Sequence, residues 1–216
     1  MRGVKFGENH TAEDWGLILN AKTINPPTPK YIKVAVDGRD GDLNLSRTLT
    51  GDMKYNNREA SFSFLVTEGT HVEREDLINE IVNLLHGNEL RIIDPDDLDH
   101  YLLGECRVDS ITNTKAYGSF TVVADCEPYR YSIEEINRTV SASATPLDIV
   151  LTNNGRKTLT PVVKVTGTAN LVIGTTSVSL GAGTYKLTSL ILRPGSNVVT
   201  VSGSGSVTFT YREGVI

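Results

Sequence analysis

A chain of 216 residues has room for one large domain or two small ones. Its formal net charge of −5 lacks the basic excess of a general nucleic-acid binder. No stretch reaches the roughly 20 apolar residues that a membrane span needs. The opening "MRGVKFGENH" is polar and mixed, without a signal-peptide pattern, so a soluble protein without conventional export is expected.

Taken in chain order, "DWGLILNAKTI" reads as the first strand. The prolines of "NPPTPKY" fix φ and remove donors, so 26–29 is an extended connector. "YIKVAV" alternates as a strand does, and Asp37-Gly38 and Asp40-Gly41 then signal turns. "EASFSFLV" alternates strictly, which puts Ala60, Phe62, Phe64 and Val66 on one face. A helix over 71–86 follows. Thr70 and Glu73 make a capping box, Leu77, Ile81, Leu84 and Leu85 recur at helical spacing, and Gly87 stands at the left-handed cap. Its acidic outer face reads as plain solvation. Strands return at "ELRIID", "YLLGECRVDSI" and "GSFTVVADC".

The composition then changes. Residues 1–140 carry 15 Lys/Arg against 24 Asp/Glu, a net −9, while 141–216 carry 6 against 2, a net +4. The second part is rich in Thr, Ser, Val and Gly, with Tyr185, Phe209 and Tyr211 as its aromatics. A boundary near 130–145 explains both shifts. Beyond it, "LDIVLTN", "PVVKVTG", "NLVIGT", "TSVSL", "GTYKLTSLIL", "NVVTVSG" and "SVTFTYRE" read as short strands with regular turns, an all-β sandwich. The expected fold is therefore mainly β. A β-sandwich with one helix spans 1–135 and a small all-β sandwich spans 136–216. Cys106 and Cys126 flank a hairpin centred near Ala116, so antiparallel pairing brings them close. Scarce cysteines in a chain of this kind read as two half-buried free thiols.

The usual catalytic patterns are missing. His10, His71, His86 and His100 do not stand at metal-ligand spacing, and there is no HExxH, no GxSxG and no GxxxxGK[ST]. "GRDG" is followed by polar residues and a strand, not by the helix whose N-terminus would hold a phosphate. In "DPDDLDH", Asp94, Asp96 and Glu105 match the first, third and twelfth positions of a calcium loop. Leu98 and Asp99 occupy the fifth and sixth, where a ligand and a glycine are needed, so a solvated acidic turn is the reading. Paired carboxylates of a glycosidase would want aromatic platforms, and Trp15 is the chain's one tryptophan. No catalytic residue, cofactor or metal is assigned.

The order of these features resembles the distal tail protein (Dit) family of long, flexible-tailed phages, a component of the tail-tip or baseplate hub. The carrying elements are the Gly-Arg-Asp-Gly turn at 38–41, "YNNR" at 55–58, "LLHG" at 84–87, the Asp-rich turn at 94–101 and "CEPY" at 126–129. They cover about 1–131. The resemblance implies a non-enzymatic virion protein that forms a homohexameric ring, single or stacked, at the end of the tail tube. That ring would join the tube protein to the tip protein of host recognition and leave a channel for DNA. It implies a galectin-like C-terminal sandwich and a location at the virion tail tip, after synthesis in the host cytoplasm. It also implies that 36–66 is a hairpin arm by which copies pair. Arg39, Asp40, Asp42, Arg47, Asp52, Lys54, Tyr55 and Arg58 are then the candidate interface. An acidic lumen would let duplex DNA slide.

Three other readings stand beside this one. A carbohydrate-binding or adhesin module would use the C-terminal sandwich. A hydrolase would use Asp94, Asp96 and Asp97. A tail-tube subunit would share the sandwich-plus-helix plan but normally lacks a second domain.

Overall fold

The structure, a computed structural model, describes residues 2–48 and 51–216. The chain divides into two compact units. One holds the residues up to Arg130 together with Ile216, and the other is Tyr131–Val215. The division comes before the expected 135/136 boundary because residues after Arg130 already bond within the second unit. The Ser132 N–H, for example, donates to the Glu213 carbonyl at 3.1 Å.

The first unit opens with β1 (Lys5–Phe6), β2 (Asn9–His10), β3 (Ile18–Ile24), β4 (Lys33–Val34) and β5 (Leu43–Asn44). It continues with β6 (Arg58–Val66), α1 (His71–Leu85), β7 (Glu89–Asp94), β8 (Asp97–Asn113) and β9 (Gly118–Cys126). An antiparallel sheet runs in the order β2-β1-β7-β8-β9-β6-β3, and β4 and β5 pair apart from it. Period-two alternation sets the core, with Phe62 and Phe64 of β6 meeting Phe120 and Val122 of β9. Phe6 packs edge-on to Phe62, ring centroids 5.7 Å apart.

The capping box starts α1 where expected. Glu73 Oε2 accepts from the Thr70 N–H at 2.7 Å, and Thr70 Oγ1 from the Glu73 N–H at 3.3 Å. The buried stripe is Arg74, Ile78, Ile81 and Leu85, which keeps Ile81 and Leu85 of the expected set, with Leu77 partly buried beside it. Leu84 is 42% exposed, because one residue is about 100° of rotation away from Leu85. Arg74 is buried without loss, since its guanidinium donates to the carbonyls of Gly69, Thr114 and Lys115 at 2.6, 2.8 and 3.2 Å. It ties the start of the helix to the β8–β9 turn. Gly87, at φ +79°, ends the helix and donates its N–H to Cys106 O at 2.8 Å.

Cys106 and Cys126 lie on the paired strands β8 and β9 as free thiols. They are 2% and 0% exposed, fully buried where half-burial was expected. Both side chains belong to the core cluster that includes Ile78, Ile81 and Leu85 of α1, which the hairpin alone does not reveal.

β10 (Arg130–Ser132) begins on the last residue before the division, and the second unit continues with β11 (Ile136–Ala142), β12 (Leu147–Asn153), β13 (Val162–Val165) and β14 (Thr168–Ile173). After these come β15 (Thr176–Leu180), β16 (Gly183–Lys186), β17 (Gly195–Tyr211) and β18 (Gly214–Val215). The two last strands expected from the sequence are one, β17. Its first half pairs with β12 and β14, and its second half with β11 and β13. The strand changes partners at Gly203, at φ +134°, and Gly205, at φ +89°. Leu151, Val163, Leu171, Val199 and Phe209 bring both halves onto one core, which makes a sandwich.

Candidate functional site

Two features of the first unit stand out. The first is an arm over 26–57, built from two antiparallel limbs. Register Lys33↔Asn44 and Val34↔Leu43 sets its outer part, and a Pro29↔Tyr55 bridge closes its base. Between them, the Ile32 N–H donates to Ser46 Oγ at 2.8 Å and the Leu45 N–H to Ile32 O at 2.8 Å. The turn chemistry is as the sequence suggests, with Gly38 and Gly41 at φ +79° and +74°. The outgoing limb carries Tyr31, Ile32, Val34 and Val36, all exposed.

The expected arm of 36–66 is therefore corrected at both ends. It begins earlier, because the proline-rich connector is its first limb. It stops before β6, because residues 58–66 form a core strand paired with β9 from Arg58↔Cys126 to Val66↔Gly118. Leu49 and Thr50 of the expected arm lie outside the described residues.

Of the candidate interface residues, Arg39, Asp40, Asp42, Arg47 and Lys54 are exposed on the arm. Asp52 and Tyr55 are half-buried, and the Tyr55 ring meets Tyr129 edge-on at 6.1 Å. Arg58 does not join them. It continues the inward row of Ala60, Phe62, Phe64 and Val66 and is only 5% exposed.

The second feature is a cleft of about 410 Å³, lined among others by Lys22, Arg58, Asp94, Asp97, His100 and Arg130. The acidic turn is the β7–β8 hairpin, and basic residues from other strands engage its carboxylates. Lys22 Nζ lies 2.5 Å from Asp94 Oδ1 and 2.6 Å from Asp96 Oδ2. Arg2 also reaches Asp96, at 2.6 Å. Asp97 takes Arg130 Nη1 at 2.7 Å on one oxygen and His100 Nδ1 at 2.7 Å on the other. Arg130 Nη2 donates to Ile216 O at 3.0 Å. Burial alone would lower the Lys22 pKa, but hydrogen bonds and charge from Asp94 and Asp96 outweigh it and leave it raised. The Lys22 hydrogen bond draws the Asp96 carboxyl down.

By its sequence alone this turn reads as solvated, and nothing local shows that Arg58 and Arg130 share its cleft. The available signal was the period-two row of β6, which already placed Arg58 inward.

Among solved structures the chain is similar to SPP1 Dit (gp 19.1), presented as a paradigm of the hub adsorption apparatus in phages that infect Gram-positive bacteria. The match has a TM-score of 0.70 and covers 98% of this chain and 99% of that one, at 14% sequence identity. The Dit-like, mainly β fold expected from the sequence is thus borne out, and it extends past residue 131 through the second unit. No protein-family model matches the sequence, and no curated protein sequence matches it.

Proposed function

We propose that this chain is a structural hub protein of a phage tail. In this reading it forms a hexameric ring that joins the tail tube to the tip proteins and leaves a channel for DNA. The observation that carries this is the likeness to SPP1 Dit over both units, end to end, rather than over one domain of a common type. The arm supports it independently. A projecting pair of limbs with four exposed apolar side chains on one of them suits a surface that another copy covers. A contact between the arm of one copy and a different face of the next is head-to-tail, and such contacts close into rings.

Cross-linking tests the ring and the role of the arm together. Asp40→Cys places a thiol on the exposed arm, while Cys106 and Cys126 are buried and do not compete. A thiol-to-amine cross-linker on this variant should give a ladder that ends at six chains. A ladder that stops at two, or single chains throughout, contradicts the reading.

A further inference from the structure

The cleft holds a guanidinium whose needs the fold does not meet. Arg58 is 5% exposed, and its Nε and Nη2 are buried without a hydrogen-bond partner among the described residues. Arg130 Nε is in the same position. An ionised group taken from water without acceptors is strongly destabilising, and here each guanidinium also feels the other. Burial, with the Arg130 charge second, pulls the Arg58 pKa below its usual value. A core strand that needed only bulk at this position would gain stability from an apolar residue.

The two orphaned nitrogens of Arg58 identify the missing acceptor. Nε–H and Nη2–H lie on one edge of the guanidinium plane and point the same way, the side-on fork that receives both oxygens of a carboxylate. Lys22 and Arg130 each already have a carboxylate partner, Asp94 and Asp97, whereas Arg58 Nε and Nη2 have no hydrogen-bond partner among the described residues.

We propose that this cleft is a carboxylate-binding site, with Arg58 as the bidentate ligand and Arg130 as the second cation. The carboxylate comes either from a free organic acid or from an acidic side chain of a second copy of this chain. The site stands on the geometry of the first unit and does not depend on the hub reading.

The test is thermal unfolding of the full chain as sodium acetate replaces sodium chloride at constant ionic strength. The native protein should gain at least about 2 °C in Tm, saturably, because acetate binds the folded state alone. Arg58→Met should lose that rise. Should this variant not fold, Arg130→Gln carries the test, with acetate about tenfold weaker. Sedimentation of the native protein with and without acetate separates the sources. A fall in mass with acetate assigns the carboxylate to a second copy, and an unchanged mass assigns it to a free acid. Equal Tm values in acetate and chloride together with an unchanged mass, or equal rises in native protein and variants, overturn the proposal.

Discussion

At the scale of single residues, Arg58 shows what sequence conveys and what it conceals. Strict alternation from Ala60 to Val66 was plain, and extending it back two residues puts Arg58 on the inner face. Charge argued the other way, for solvent, since arginine is rarely buried without a partner. The cleft surrounds Arg58 with a like charge, Arg130, and with an Asp97 that Arg130 and His100 already engage, and no local pattern announces that. The cysteines are similar. Their closeness follows from the hairpin, whose register sets Cys106 against Ala124 and Cys126 against Gly104, but their depth depends on what covers the sheet. Burial pushes both thiols up to about 12 from an ordinary value of 9.0. The folded protein therefore holds protons that the unfolded chain releases above about pH 9. This contribution is intact below that pH and is lost as pH climbs toward 12. Denaturant midpoints measured from pH 8 to 11 should fall more steeply for the native chain than for the Cys106→Ala/Cys126→Ala variant. Parallel curves would contradict the assignment.

At the scale of elements, α1 was legible because its signals are local: a capping box, an apolar period and a glycine stop. Of its expected apolar face, Ile81 and Leu85 are buried and Leu77 packs against the core, while Leu84 turns outward, because Leu84 and Leu85 are equally apolar and only the packing chooses between them. The arm was legible in its turns but not in its limits, because the proline segment carries no strand pattern and β6 follows without a break. β17 was read as two strands because "SGSGS" looks like a loop. Glycine serves there to let one strand bend between two sets of partners. A Cβ on Gly203 would stand 2.1 Å from Thr168 O, at a φ that other residues avoid. Gly203→Ala should cost on the order of 3 kcal/mol in chemical denaturation, combining backbone strain with the forced displacement. Gly181→Ala meets nothing within 4 Å and should stay within about 0.5 kcal/mol of the native chain. Equal costs at the two positions would mean that β17 does not bend for the reason given.

At the scale of the molecule, the shift in charge and composition near 130–145 lies beside the division after Arg130. Phe6, Phe62, Phe64 and Phe120 are the buried rings of a first core that is otherwise mostly aliphatic, and aliphatic residues fill most of the second. The order of motifs in the first unit pointed to the same fold that the whole chain shares with SPP1 Dit at 14% identity. Assembly was not legible in either unit's pattern, since an interface between copies leaves no periodicity of its own. The central claim is the ring, and the most direct test is the mass of the purified protein by light scattering, with electron micrographs of the same fraction. The account predicts a species of six chains of 23.5 kDa, or a stacked pair of such rings, seen as annuli with an open centre. A monomer at every concentration, with no annular particles, would contradict it.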